Sequence, residues 1–289
     1  MDTAQARQYI ERLDAVAEHR SVPFSPGRTL RWRIFGKGDP LVLLHGGHGS
    51  WLHWIRNIEA LSRDRSVVVA DLPGYGDSDD LSPGANMQTV VDAVVTALDA
   101  LFGERYTIDL AGFSYGGVVS ARIAAQRGNV RRLALLGSPG SATAQRPRAR
   151  LLRWRDAKGA AQDAALRHNL LAHMLFDETS ADALAFKAYV DALKAARFRG
   201  RALAGAVPLE EILAAFSNPT LFIWGEHDVT ATPALIKDSL TAAMPDRALR
   251  IVNRGGHWIQ FECADEVNAE LMRWFSVRMP GSRSYRDCA

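Results

Sequence analysis

The chain of 289 residues is 47% hydrophobic and 23% charged, enough apolar material for one substantial globular core with room for an insertion. Thirty-five Lys and Arg against 32 Asp and Glu leave a formal charge of +3, an excess too small to imply nucleic acid or another polyanion as partner. The two cysteines, Cys263 and Cys288, exclude a disulfide framework and a cysteine-built metal site.

The N-terminal stretch MDTAQARQYIERLDAVAEHR interleaves charge with apolar residues and holds no uninterrupted apolar run. It fits neither a signal peptide nor a membrane span, so no membrane partner is expected and the cytoplasm is the expected compartment. Short apolar runs follow: LRWRIF (30–35), LVLL (41–44), VVVAD (67–71), TIDLAG (107–112), LALLGS (133–138), TLFIWG (220–225) and ALRIVN (248–253). Most are continuous rather than alternating, the pattern of strands covered on both faces of a parallel sheet. Helical patterns lie between them, as in MQTVVDAVVTALDALFG (87–103) and GGVVSARIAAQRG (116–128), the latter stopped by Gly128. Strand alternating with helix predicts an α/β sheet.

From about 141 to 216 that alternation stops. Ala, Leu and Arg at helical spacing, as in ARLLRWRDAKGAAQDAALRHNLLAHML, predict a helical insertion that ends at Asn218-Pro219, just before the next strand. The chain then divides into a first core part (1–140), the insertion (141–216) and a second core part (217–289), with a polar, poorly ordered tail expected over 279–289.

Ser114, in LAGFSYGG, stands between Gly112 and Gly116, after a strand and at the opening of a helical pattern. An ordinary turn needing glycine explains the pentapeptide alone. The context also suits a nucleophile held on a strained strand-to-helix turn, where small neighbours leave room for the bend. A serine hydroxyl needs an adjacent base, itself oriented by a third group. Asp228 in FIWGEHD and His257 in NRGGHW follow the serine in chain order, each just past a strand. Asp228 has an alternative as a helix cap, with Asp71 and Asp109 as rival acids, and His257 has one as a core histidine. Oxyanion donors are expected from the Tyr115 amide and from the glycine loop in LLHGGHGSW, Gly47 first and Gly46 as the alternative.

His45 is expected to brace that loop, His48, His53, Phe113 and Trp258 to border the substrate, and His227 to be exposed or structural. His19, His168 and His173 fall in helical patterns whose default is a solvated face. Neither a G-x-G-x-x-G fingerprint nor H-E-x-x-H spacing occurs, so no cofactor and no metal are expected.

LHGGHGSW, DLPGYGDSD (71–79), GFSYGG, WGEHD and GGHWIQFE together resemble, in order, motifs of the α/β-hydrolase superfamily over essentially the whole chain. The resemblance implies a mostly parallel eight-stranded sheet with one antiparallel strand, flanked by helices, a helical lid after the sixth strand, and a triad of Ser114, Asp228 and His257. It implies a serine hydrolase acting on a small-molecule ester, lactone or similar acyl substrate; branches with aspartate as nucleophile are disfavoured by Ser114. GGHWIQFECADEVN and SWLHWIRNIEAL are also similar to the carbon-carbon bond hydrolases of aromatic meta-cleavage products, in which a lid arginine binds a substrate carboxylate. Arg197, Arg199 or Arg201 in ARFRGRALAG would serve. That branch usually carries asparagines where this chain has Phe113 and His53, so the ester or lactone reading stands at least level with it. A third reading is a small-ligand receptor on the same fold with little or no turnover, and a homodimer is left open.

Overall fold

The computed structural model describes residues 1–139, 149–203, 207–242 and 244–276; the expected tail at 279–289, with Cys288, lies outside the described residues. Eight strands form one sheet: β1 (Glu18–Ser25), β2 (Arg28–Phe35), β3 (Pro40–Leu44), β4 (Ser66–Asp71), β5 (Ile108–Phe113), β6 (Val130–Leu136), β7 (Thr220–Gly225) and β8 (Arg247–Val252). Their spatial order is β1-β2-β4-β3-β5-β6-β7-β8. Only β2 runs against its neighbours; from β4 to β8 every pairing is parallel.

The interior strands β3, β5 and β7 are buried at every position, which is why they read as largely apolar runs, broken in β5 by Asp109, which Arg65 and Arg131 hold. The sequence reading missed β1. EHRSVPFS is an edge strand with one buried residue, Val22, and its polar composition carries no burial signal. His19 accordingly sits in β1 rather than in a helix, its Nε2 3.0 Å from the Asp14 carbonyl.

The chain-ordered helices are α1 (Thr3–Ala15), α2 (Ile58–Leu61), α3 (Met87–Phe102), α4 (Tyr115–Arg127), α5 (Gly159–His173), α6 (Ala183–Ala195), α7 (Leu209–Ile212), α8 (Pro233–Thr241), α9 (Ile259–Glu262) and α10 (Ala264–Ser276). Apolar residues of α3, α4, α7 and α8 cover one face of the sheet. Those of α1, α2, α9 and α10 cover the other, joined by Leu170 of α5 and Leu184, Ala185 and Ala188 of α6. The helix boundaries follow local chemistry. Asn86 caps α3 through the Thr89 amide, and α4 stops at Gly128, whose φ of 74° suits a residue without a Cβ.

The segment between β6 and β7 contains α5, α6 and α7 and no strand among the described residues. It is fastened to the core by an Arg56–Asp182 ion pair of 2.7 Å, and Leu166, Val190 and Leu193 pack α5 against α6. No described helix is long and apolar enough to cross a membrane. Because β3, β5, β7 and β8 are parallel, the loops that leave their carboxyl ends emerge on one rim of the sheet.

Candidate active site

Ser114 occupies the step from β5 to α4 with φ 52° and ψ −118°, a conformation L-residues rarely adopt and one that costs on the order of 1–3 kcal/mol. Backbone hydrogen bonds hold it there: its N–H donates to the Leu136 carbonyl at 2.8 Å, and its carbonyl accepts from Gly117 at 2.9 Å. The flanking glycines are required by close approach. A Cβ at Gly112 would lie 2.4 Å from the Gly116 carbonyl oxygen, and one at Gly116 would lie 2.2 Å from that of His45.

The imidazole of His257, from the loop after β8, brings Nε2 within 3.0 Å of Ser114 Oγ across 143 residues of chain. Its Nδ1 lies 2.9 Å from Asp228 Oδ2, and the other Asp228 oxygen accepts from the Thr230 amide and hydroxyl, both at 2.7 Å. This network assigns the ring proton to Nδ1 and leaves Nε2 to accept from the hydroxyl. Asp228 is fully buried and His257 is 3% exposed. Asp228 caps the turn at Thr230 and has no capping bond to α8. The rival acids are committed elsewhere: Asp71 accepts from Arg33 at 3.0 Å and from the Trp51 amide at 2.8 Å, and Asp109 is held by Arg65 and Arg131.

The loop after β3 supplies Gly47, which lines the same cavity as Ser114 and Tyr115. The Tyr115 amide begins α4, where no helical carbonyl precedes it. The alternative donor, Gly46, is corrected: its N–H donates to His53 Nδ1 at 3.2 Å, which consumes it. His45 braces the loop as expected. Its Nε2 accepts from the Leu72 amide at 2.9 Å and its Nδ1 lies 2.7 Å from the Gly46 carbonyl, while burial lowers its pKa against the pull of Asp71. His53 is buried against Phe113, Trp258 and His45. Burial first, then the neighbouring imidazoles of His45, His257 and His48, hold its pKa well below 6.5, so the ring is neutral.

The cavity measures about 360 Å³. Gly47, His48, His53, Phe113, Ser114, Tyr115 and His257 form its sheet side; Leu151, Leu152, Trp154, Met174 and Leu193 of the insertion form an apolar wall, with Arg155 among them. Among the described residues no carboxylate lines it. A wider cleft of about 580 Å³ lies by the amino ends of β3 and β4, near Pro40 and Ser66, and no histidine lines it among the described residues.

Three expectations about the cavity are corrected. Arg197 does not line it: its guanidinium pairs with Asp80 at 2.7 Å and donates to the Gly76, Ser78 and Ala195 carbonyls. Arg199 is exposed and also outside the lining, and the Arg201 side chain lies outside the described residues. Trp258 is wholly buried, with its indole N–H donating to the His53 carbonyl at 2.9 Å and its ring stacked on Phe261, so it supports His53 from behind. His173, expected on a solvated face, lines the cavity, its ring centroid 5.3 Å from that of His257. The missed signal was spacing: Leu166, Leu170 and His173 stand at i, i+4 and i+7 on one helix face.

Sequence reasoning also missed Glu262. Its carboxylate accepts from the Gly256 amide at 2.6 Å and from the Phe176 and Asp177 amides at 2.8 Å, tying the insertion to the histidine loop; burial raises its pKa despite these bonds.

A family model described as the alpha/beta hydrolase fold matches residues 39–264. The chain is 31% identical over 265 residues to the dihydrolipoyllysine-residue acetyltransferase component of the acetoin cleaving system of Pseudomonas putida, covering 85% of this chain and 66% of that protein. It is also 31% identical over 248 residues to the 2-hydroxymuconate semialdehyde hydrolase of Pseudomonas sp. (strain CF600), covering 79% of this chain and 84% of that one. Among solved structures, the naproxen esterase of Bacillus subtilis superposes with a TM-score of 0.74 at 19% identity, covering 94% of this chain and 97% of that one.

Proposed function

The chain belongs to the alpha/beta hydrolase fold family, and on that premise we propose that it is a serine hydrolase that cleaves a small carboxylic ester, lactone or similar acyl substrate through an acyl-enzyme. The observation that carries this reading is the relay from Asp228 through His257 to Ser114, with spacings of 2.9 and 3.0 Å, on a serine held at positive φ.

In the proposed cycle His257 Nε2 takes the Ser114 proton as Oγ bonds to the substrate carbonyl carbon. The carbonyl oxygen becomes an oxyanion that the Gly47 and Tyr115 amides hold, each such donor being worth on the order of 3 kcal/mol. The leaving oxygen then departs with the proton from His257. Water repeats the sequence, giving its proton to His257 and its oxygen to the acyl carbon, and Oγ leaves with that proton. Asp228 keeps the ring in the tautomer with hydrogen on Nδ1 and stabilises the imidazolium.

Labelling with a fluorophosphonate followed by peptide mapping tests nucleophile and activation together. Modification at Ser114, with p-nitrophenyl ester hydrolysis abolished in Ser114→Ala, is the expected result; labelling elsewhere, or undiminished hydrolysis in the variant, refutes the assignment.

The 2-hydroxymuconate semialdehyde hydrolase among its relatives favours a second reading, hydrolysis of a carbon-carbon bond by the same residues. A dienol keto-acid supplied to the protein would lose its visible absorbance under that reading and keep it under the first.

A further inference from the structure

We propose that His173, from the insertion, is a further catalytic residue, one that hydrogen-bonds the leaving oxygen of the substrate during acylation. The inference rests on the serine-hydrolase reading and adds to it a group from outside the sheet. His173 ends α5, one helical face of which carries Leu166 and Leu170, both fully buried. That burial turns the histidine inward, where it lines the cavity shared with Gly47, Ser114 and His257. Its ring is tilted by 41° to the His257 ring at a centroid distance of 5.3 Å. The next residue, Met174, accepts a hydrogen bond of 2.6 Å at its carbonyl from the Trp258 amide, so the two histidines are registered through their adjacent backbone.

The chemistry singles out that side of the site. As the bond from Ser114 Oγ to the carbonyl carbon forms and the bond to the leaving oxygen breaks, the serine proton passes to His257 Nε2 and from there to the leaving oxygen. That oxygen therefore stands within hydrogen-bond reach of Nε2, away from the amides that hold the oxyanion. Among the described residues, Phe113, Asp228 and Thr230 also neighbour the His257 ring and do not serve it. Phe113, at 5.0 Å, offers only carbon, and Asp228 and Thr230 are bonded at the Nδ1 edge. A second imidazole set against that ring supplies an N–H donor to the oxygen as its negative charge grows.

Two esters of one acid that the wild type hydrolyses, a p-nitrophenyl and an ethyl ester, differ in how much help the leaving oxygen needs. His173→Phe keeps a ring against His257 and removes the donor, and His173→Gln restores one. His173→Phe is expected to lower kcat/KM for the ethyl ester about tenfold or more, and for the nitrophenyl ester by less than about threefold. His173→Gln recovers part of the ethyl ester rate. Equal loss on both esters, or no loss on either, overturns the proposal. If a variant is partly unfolded, the ratio of the two kcat/KM values still decides, because the fraction folded cancels from it. Fluorophosphonate labelling keeps two failures apart. A wild-type protein that neither labels at Ser114 nor turns over the nitrophenyl ester refutes the serine-hydrolase reading, whereas normal labelling with an unchanged ester ratio in His173→Phe refutes the role of His173 alone.

Discussion

On the sheet side of the cavity, position is set by backbone: Ser114 is bonded to the Leu136 and Gly117 main chain, and Gly112 and Gly116 leave no room for a side chain. On the insertion side, Leu151 and Leu152 are 42% and 46% exposed, and the Leu152 backbone is held by the side chain of Asn169 rather than by main chain of the sheet. The first arrangement admits one geometry, as bond making requires; the second offers apolar surface that different acyl groups can share. Under the proposed function the contrast would separate the groups that make and break bonds, with His173 reaching in from the insertion, from the apolar surface that selects the acyl group.

The sharpest break in that comparison is His257→Ala. Without the imidazole the Ser114 hydroxyl has no base, and kcat is expected to fall by about 10⁴-fold or more. The melting temperature should fall as well, because the variant leaves the buried Asp228 without its ring partner, so kcat is taken below that melting temperature; an unaltered kcat would show the base to be another residue. Trp154→Ala probes the opposite wall, where truncation removes apolar contact common to ground and transition states. KM should rise several-fold with kcat within about twofold, as steady-state kinetics would show. A kcat effect as large as that of His257→Ala would erase the division between the two walls.

The smallest effect concerns His53 on the sheet side. Its folded pKa lies well below the ordinary 6.5, so below pH 6.5 the unfolded chain binds a proton that the folded chain does not. Stability is therefore complete above about pH 6.5 and declines as pH falls toward the folded pKa. Thermal melts between pH 7.5 and 5 should show that decline in the wild type and a shallower one in His53→Asn; parallel curves would remove His53 as a source.

Much of the sheet side was legible in the sequence. The runs at 41–44, 67–71, 108–112 and 220–225 are buried at every position and so read as largely apolar, with the buried Asp71 and Asp109 held by arginines, and the glycines beside Ser114 announce a close backbone approach. Gly46 was offered as a donor because a glycine loop leaves its N–H groups undefined until a partner is found, and that partner, His53, is a tertiary neighbour. Arg197, Trp258 and Glu262 were misread or overlooked for the same reason: each makes its decisive hydrogen bonds with a chain segment far away in sequence. The i, i+4, i+7 spacing of Leu166, Leu170 and His173 marks one face of a helix that carries charged and apolar residues on other faces as well, and packing decides that this face turns inward.

Taken alone, the sequence determined the succession of strands from β2 to β8 and singled out Ser114, Asp228 and His257 as candidates. Those features follow from local backbone preference and from the apolar pattern that burial demands, both written into neighbouring residues. Only the tertiary structure decided which amide of the glycine loop is already engaged, which arginines are taken up by Asp80, Asp109 and Asp71, and that a histidine of the insertion stands over His257. Hydrogen bonds and ring contacts between distant segments depend on distances of a few ångströms, and no spacing along the chain encodes them.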